Sequence, residues 1–177
     1  MIFEAVVFWA AAAVAVAATA MVVTRRNAVH ALLYLIVSLL AVAVLFFMLG
    51  APLAAALEVI IYAGAIVVLF IFVVMMFNLE GERRRRGPWT SLRAWIGPGA
   101  LSAVLLAEFL VVVARGGTHG LVAGTVPPAL VGVSLFSTYV LGVELAAMLL
   151  LAAVVGAFHL GSRKPASRHR LFEEPPQ

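Results

Sequence analysis

The sequence predicts an all-α integral membrane protein of five transmembrane helices, N-terminus outside and C-terminus in the cytoplasm. Three observations carry this. Of 177 residues, 65% are hydrophobic and 11% charged, with a mean hydropathy of +1.15, more apolar surface than a soluble core needs. Apolar runs long enough to cross about 30 Å of hydrocarbon recur along the chain. Between them, Arg and Lys fall into alternate connections.

The expected spans are 2–23, 28–49, 53–77, 94–114 and 137–160, in one five-helix domain over 1–161, followed by a cytoplasmic tail over 162–177. The first span is mostly Ala and Val, with Glu4 in its first turn, where a helix N-terminus tolerates negative charge. It lacks a basic leader and a small-residue cleavage site, so it reads as a retained helix and not a signal peptide. Thr24-Arg25-Arg26-Asn27 is a tight polar break. In the second span His30 and Tyr34 lie one turn apart on one face, and Gly50-Ala51-Pro52 ends it without a charge.

The third span, Leu53 to Phe77, is followed by a polar loop with Arg83 to Arg86 and the breaker Gly87-Pro88. The fourth carries Gly97-Pro98 in its expected first turn, where Pro is tolerated, and Glu108 near its far end. Gly116 to Phe136 is Gly/Pro-rich and broken by Pro127-Pro128, so it reads as an ordered surface connection. In the fifth span Gly142, Ala146, Ala153 and Ala157 form a small-residue stripe, and Glu144 points roughly the opposite way.

Eleven Arg and Lys (Arg25, Arg26, Arg83 to Arg86, Arg93, Arg163, Lys164, Arg168, Arg170) fall on one side of this topology, and Arg115 stands alone on the other. That asymmetry sets the orientation and explains the formal charge of +4 without a nucleic-acid partner. The absence of cysteine removes disulfides, iron–sulfur ligation and covalent haem attachment. The chain has no nucleotide fingerprint, nucleophile–base pair, metal-ligand cluster or Asp, so it carries no catalytic site of its own. His30 and His159 both lie close to the cytoplasmic face, an interfacial placement that suits local hydrogen bonding better than a haem clamp.

The third span holds the strongest functional pattern. Its stretch from Glu58 to Phe77 opens with a carboxylate, although an ionised carboxylate costs about 2.5–3.5 kcal/mol or more at bilayer depth. Tyr62 follows at i+4 on the same face, then Gly64, which costs about 1 kcal/mol against Ala inside a helix. A simple anchor needs none of these residues. Ala63-Gly64-Ala65 allows a π-bulge or rotation against a neighbour; the plainer alternative is close packing by another helix. Glu58, Glu108 and Glu144 fall roughly 8–10 Å inside the outer boundary at 1.5 Å per residue, so three acids share one layer. They are either proton-route groups or hydrogen-bonded structural glue. The two faces of the fifth span both require protein cover, which implies a larger assembly.

Three blocks carry a resemblance: Asn27-Ala-Val-His-Ala-Leu-Leu-Tyr34-Leu, the run from Ala56 to Met76 containing Glu58-x3-Tyr62-Ala-Gly-Ala, and the run from Tyr139 to Leu151 containing Glu144. The chain resembles the J (chain 6) subunits of the proton-translocating NADH:quinone oxidoreductase, respiratory complex I, from Arg25 to about Gly161, with Ala28 departing from a common family Pro. The resemblance implies a multi-pass subunit of the bacterial inner membrane beside the quinone chamber, contacting other membrane-arm subunits and lipid, with the quinone pool reached indirectly. It implies a π-bulge around Tyr62 to Val67 that forms and relaxes to gate a water route, with Glu58 and Glu144 matching the family's buried acids. NADH, FMN, iron–sulfur clusters and quinone belong to the complex, on or between other subunits. The expected function is coupling of quinone reduction to proton translocation through Glu58, Tyr62, Gly64, Ala65 and Glu144, with Glu108 a weaker member. The rivals are a purely structural assembly subunit and a small secondary transporter, whose inverted repeats and paired broken helices are missing from the sequence.

Overall fold

The structure, a computed structural model, describes residues 2–25, 27–77, 92–114 and 124–162. All regular structure among them is helical, and five helices are long and apolar enough to cross a membrane. Arg83 to Arg86, Arg115 and the tail from Arg163 lie outside the described residues.

Helix α1 spans Ile2–Thr24 and α2 spans Ala28–Met48. Asn27 turns the chain between them: its side-chain oxygen accepts from the Val29 and His30 amides at 2.9 and 3.3 Å, supplying the first turn of α2 with an acceptor. The two helices form an antiparallel hairpin, and small residues let them approach closely. Ala15 and Ala18 of α1 meet Val37 and Ala41 of α2, and Leu105 of a later helix closes that cluster. A second cluster joins Val7, Met48 and Val112. Ser38 is buried in this seam, where its hydroxyl lies 2.7 Å from that of Thr19 and 3.3 Å from the Ala15 carbonyl it donates to. The hydroxyls thereby satisfy each other where lipid offers no partner.

The continuous helix α3 covers residues 52–77 in three parts: α-helical Pro52–Leu57, π-helical Glu58–Ile66 and α-helical Val67–Phe77. Its entry is fixed by a turn in which Gly50 adopts φ +79°, a left-handed conformation suited to Gly. The Gly50 carbonyl accepts from the Val126 amide at 2.9 Å, so the segment before Pro127 straps this turn. A side chain at Gly50 would also lie 2.9 Å from the Gly124 carbonyl.

Helix α4 spans Leu92–Ala114. It starts two residues earlier than the sequence predicts, so Pro98 is not in the first turn but is the seventh helical residue. There Pro cannot return an N–H to the carbonyl four residues back, and the helix carries that lost bond near its end. Leu101, Leu105 and Val112 turn one face of α4 onto the α1–α2 hairpin. Near the start of α4, Tyr34 is 4% exposed and its hydroxyl occupies the space a side chain would need at Gly97. Arg25 lies 5.3 Å from the centroid of the Tyr34 ring and donates to its hydroxyl at 3.4 Å.

The chain divides into two compact units, Met1–Pro128 and Ala129–Gln177. The stretch expected to be a surface connection contains a short helix, α5, at Pro128–Ser137. Pro128 starts it: Pro breaks a helix interior, yet its fixed φ suits the first helical position, where no N–H is needed. Helix α6 then runs over Val140–Gly161, three residues later than expected, after a turn in which the Thr138 and Tyr139 amides both donate to the Ser134 carbonyl at 3.0 Å. None of α6 is buried.

Candidate functional site

The site centres on the middle of α3. Upstream, the Glu58 amide still bonds the Ala54 carbonyl four residues back. Downstream, the Val67 amide reaches the Tyr62 carbonyl, five residues back. Between them lies a wider helix of nine residues, EVIIYAGAI, with αR dihedrals at both junctions, so the axis continues without a break.

The family resemblance implies an irregularity at Tyr62 to Val67; the structure starts a π segment four residues earlier, at Glu58, and ends it at Ile66. Val59, Ile60 and Ile61 supply a physical reason. Three consecutive β-branched side chains crowd the preceding turn of an α-helix, and a wider turn relieves the crowding. Gly64 permits the same geometry from the other side: a Cβ there would lie 3.1 Å from the Val59 carbonyl oxygen. A side chain there would require that carbonyl to give by a few tenths of an ångström, a shift that Gly avoids.

Burial defines which way the site faces. Ala63 is buried within the π segment, and Val67, 2% exposed, continues the contact against α2. Tyr62 is 52% exposed, Gly64 and Ala65 are exposed, and Glu58 is half-buried. Among the described residues neither Glu58 nor Tyr62 has a hydrogen-bonding partner. The Tyr62 phenol is therefore largely uncovered by the chain, whereas the Glu58 carboxylate is partly covered.

The other acids sit elsewhere. Glu108 is half-buried on α4, and one of its carboxylate oxygens is buried without a partner. Glu144 is exposed on α6, in the second unit. Gly142 and Gly156 on the same helix have open space where a Cβ would stand, so no described residue of this unit packs against them. Among the described residues no group of three His, Asp or Glu converges as a metal site would require. His30 is half-buried beside the Asn27 cap; its backbone amide donates to the Asn27 side-chain oxygen, and its ring makes no hydrogen bond among the described residues, so the expected local bond of the imidazole is not seen.

Sequence reasoning missed two polar contacts near the hairpin. The Thr19–Ser38 pair could have been read from two hydroxyls in otherwise apolar spans. The seating of Tyr34 against Gly97 depends on the register of two helices distant in sequence, which leaves no local signal.

The chain matches the family described as NADH-ubiquinone/plastoquinone oxidoreductase chain 6 over residues 18–160. It is 57% identical over 160 residues to the NADH-quinone oxidoreductase subunit J of Pseudomonas aeruginosa, covering 87% of this chain and 94% of the relative. The subunit J of Escherichia coli K12 is 50% identical over 141 residues, 79% of this chain and 77% of the relative. That of Buchnera aphidicola from Acyrthosiphon pisum is 41% identical over 167 residues, 94% and 98% respectively.

Proposed function

The chain belongs to the NADH-ubiquinone/plastoquinone oxidoreductase chain 6 family, and from that premise we propose that α3 couples quinone reduction to proton translocation by switching its middle between π- and α-helical ladders. The protein is a multi-pass inner-membrane subunit of the membrane arm of NADH-quinone oxidoreductase, and its partners are the other subunits of that enzyme. The observation that carries the proposal is the nine-residue π segment with Gly64 set against the Val59 carbonyl. A π ladder is a local alternative to the α ladder that rotates one flank of a helix against the other. Conversion would turn Glu58 and Tyr62 relative to Val67 and so change which side chains and waters meet there.

The chain itself moves no electrons. Without cysteine its residues do not fit an iron–sulfur cluster, and NADH, FMN, clusters and quinone act on or between other subunits. Its own contribution is to hold and release a water path beside Glu58 and Tyr62, with Glu144 and, more weakly, Glu108 as further proton-holding groups. The N-terminus faces outside and the basic connections face the cytoplasm.

The test is Gly64→Val, or a bulky residue at Ala65, in the assembled enzyme. Proton translocation falls relative to quinone reduction, or both slow, while the subunit still assembles. Normal rates of both in assembled variants would overturn the proposal. Loss of assembly as the sole effect of every α3 substitution would replace it with a purely structural subunit.

A further inference from the structure

Helix α3 is held at its starting end through backbone groups. Met48, 1% exposed and packed with Val7 and Val112, ends α2 inside the core. The chain then doubles back: the Gly50 amide donates to the Phe47 carbonyl at 3.1 Å and the Ala51 amide to the Phe46 carbonyl at 3.0 Å. Gly50 is buried in this turn, and a buried carbonyl needs a donor. The donor comes from far along the chain, the Val126 amide at 2.9 Å. Val126 supplies it through its backbone alone, since its side chain is 50% exposed and Thr125 beside it is exposed. Only Ala51 separates the turn from Pro52, the first residue of α3, which leaves no slack between the two.

Little else fixes α3 lengthwise over the stretch that follows. It packs along α2, but from Pro52 to Ile66 its buried residues are Ala55 and Ala63. Methyl groups make a smooth seam; stopping one helix from sliding on another takes side chains that enter the neighbour's grooves. The first buried residue of that size is Val67, 2% exposed, beyond the π segment. The depth of Glu58 and Tyr62 is therefore set from the Gly50 end, across the α-helical stretch Pro52–Leu57.

We propose that the Val126 amide and the Gly50 carbonyl form a positioning contact for the coupling reaction. By pinning the start of α3 they hold Glu58 and Tyr62 at the depth and rotation at which protons pass. Neither residue touches the proton path; both act through α3. The inference rests on the role of α3 proposed above, and a misplacement of about 1 Å at a reacting group is enough to cost a large factor in rate.

The test uses the assembled enzyme with Val126→Pro, which removes the amide donor, and Val126→Ala, which trims an exposed side chain and keeps it. Gly50→Ala disturbs the contact from the other side, because its Cβ would lie 2.9 Å from the Gly124 carbonyl oxygen, and it serves if the Pro variant does not assemble. Hydrogen exchange of the 51–57 peptide and protons translocated per quinone reduced are both measured. In Val126→Pro the exchange speeds up severalfold and the proton ratio falls while quinone reduction continues; Val126→Ala matches the unaltered enzyme in both. Unchanged exchange would overturn the pin, and faster exchange with a normal ratio would overturn the positioning role. Loss of assembly in both Val126→Pro and Gly50→Ala would make the contact a folding element and overturn it as well. Gly64→Val, run alongside, separates the two proposals: a lowered ratio there with a normal one in Val126→Pro sinks this contact alone, whereas normal ratios in both sink the role of α3 and the contact with it.

Discussion

Gly64 faces the carbonyl oxygen of Val59 so closely that the first carbon of any side chain would stand 3.1 Å from it. Adding that carbon penalises the π ladder more than the α ladder. In Gly64→Ala the π run shortens, with the residue 64 amide returning to the Ile60 carbonyl. A high-resolution structure of the assembled variant checks this. An unchanged nine-residue run would show that the β-branched triplet at Val59 to Ile61 sets the geometry alone.

Tyr34 and Gly97 form a second steric pair. Gly97→Ala drives a methyl group into the phenol hydroxyl, an overpacking that costs about 1–3 kcal/mol. Tyr34→Phe removes the atom in closest conflict, so the double variant recovers part of the loss. Thermal denaturation of the four enzymes of this cycle reads the recovery, and strict additivity would mean the two residues do not meet.

The Thr19–Ser38 contact should contribute modestly. Hydrogen bonds between membrane helices average about 0.6 kcal/mol and reach about 1.7 kcal/mol. A cycle of Thr19→Val and Ser38→Ala is expected to give a coupling energy within that range, because each hydroxyl also has the Ala15 carbonyl in reach.

Glu108 separates stability from activity. One of its oxygens is buried and unpaired, so Glu108→Leu removes a desolvated polar group and leaves thermal stability equal or higher. Proton translocation by the assembled enzyme falls in the same variant if the acid holds a proton. Retained translocation would assign Glu108 a passive place on α4.

Much of this was legible in the chain. The spans over 28–49 and 53–77 are long and apolar enough to cross a bilayer, and the arginines fall in alternate connections between spans. Glu58, Tyr62 and Gly64 drew attention because each costs free energy in a plain span. The length of the π segment was harder to read, since β-branched residues at Val59 to Ile61 also occur in ordinary α-helices and the ladder reflects a balance of small terms. Pro128 was read as a breaker where it serves as a starter, a choice decided by the residues after it. Depth alone put Glu108 and Glu144 in one layer with Glu58, because helical spacing gives height but not direction.

Helix α6 shows what the chain requires of its surroundings. It brings 22 residues and a carboxylate into the membrane, and the described residues of its own unit bury none of them. Whatever fraction of newly made chains finds partners is held folded by mass action, and the remainder presents an open greasy rod to membrane proteases. The cellular level of this protein should therefore follow the supply of its neighbours more closely than the rate of its own synthesis.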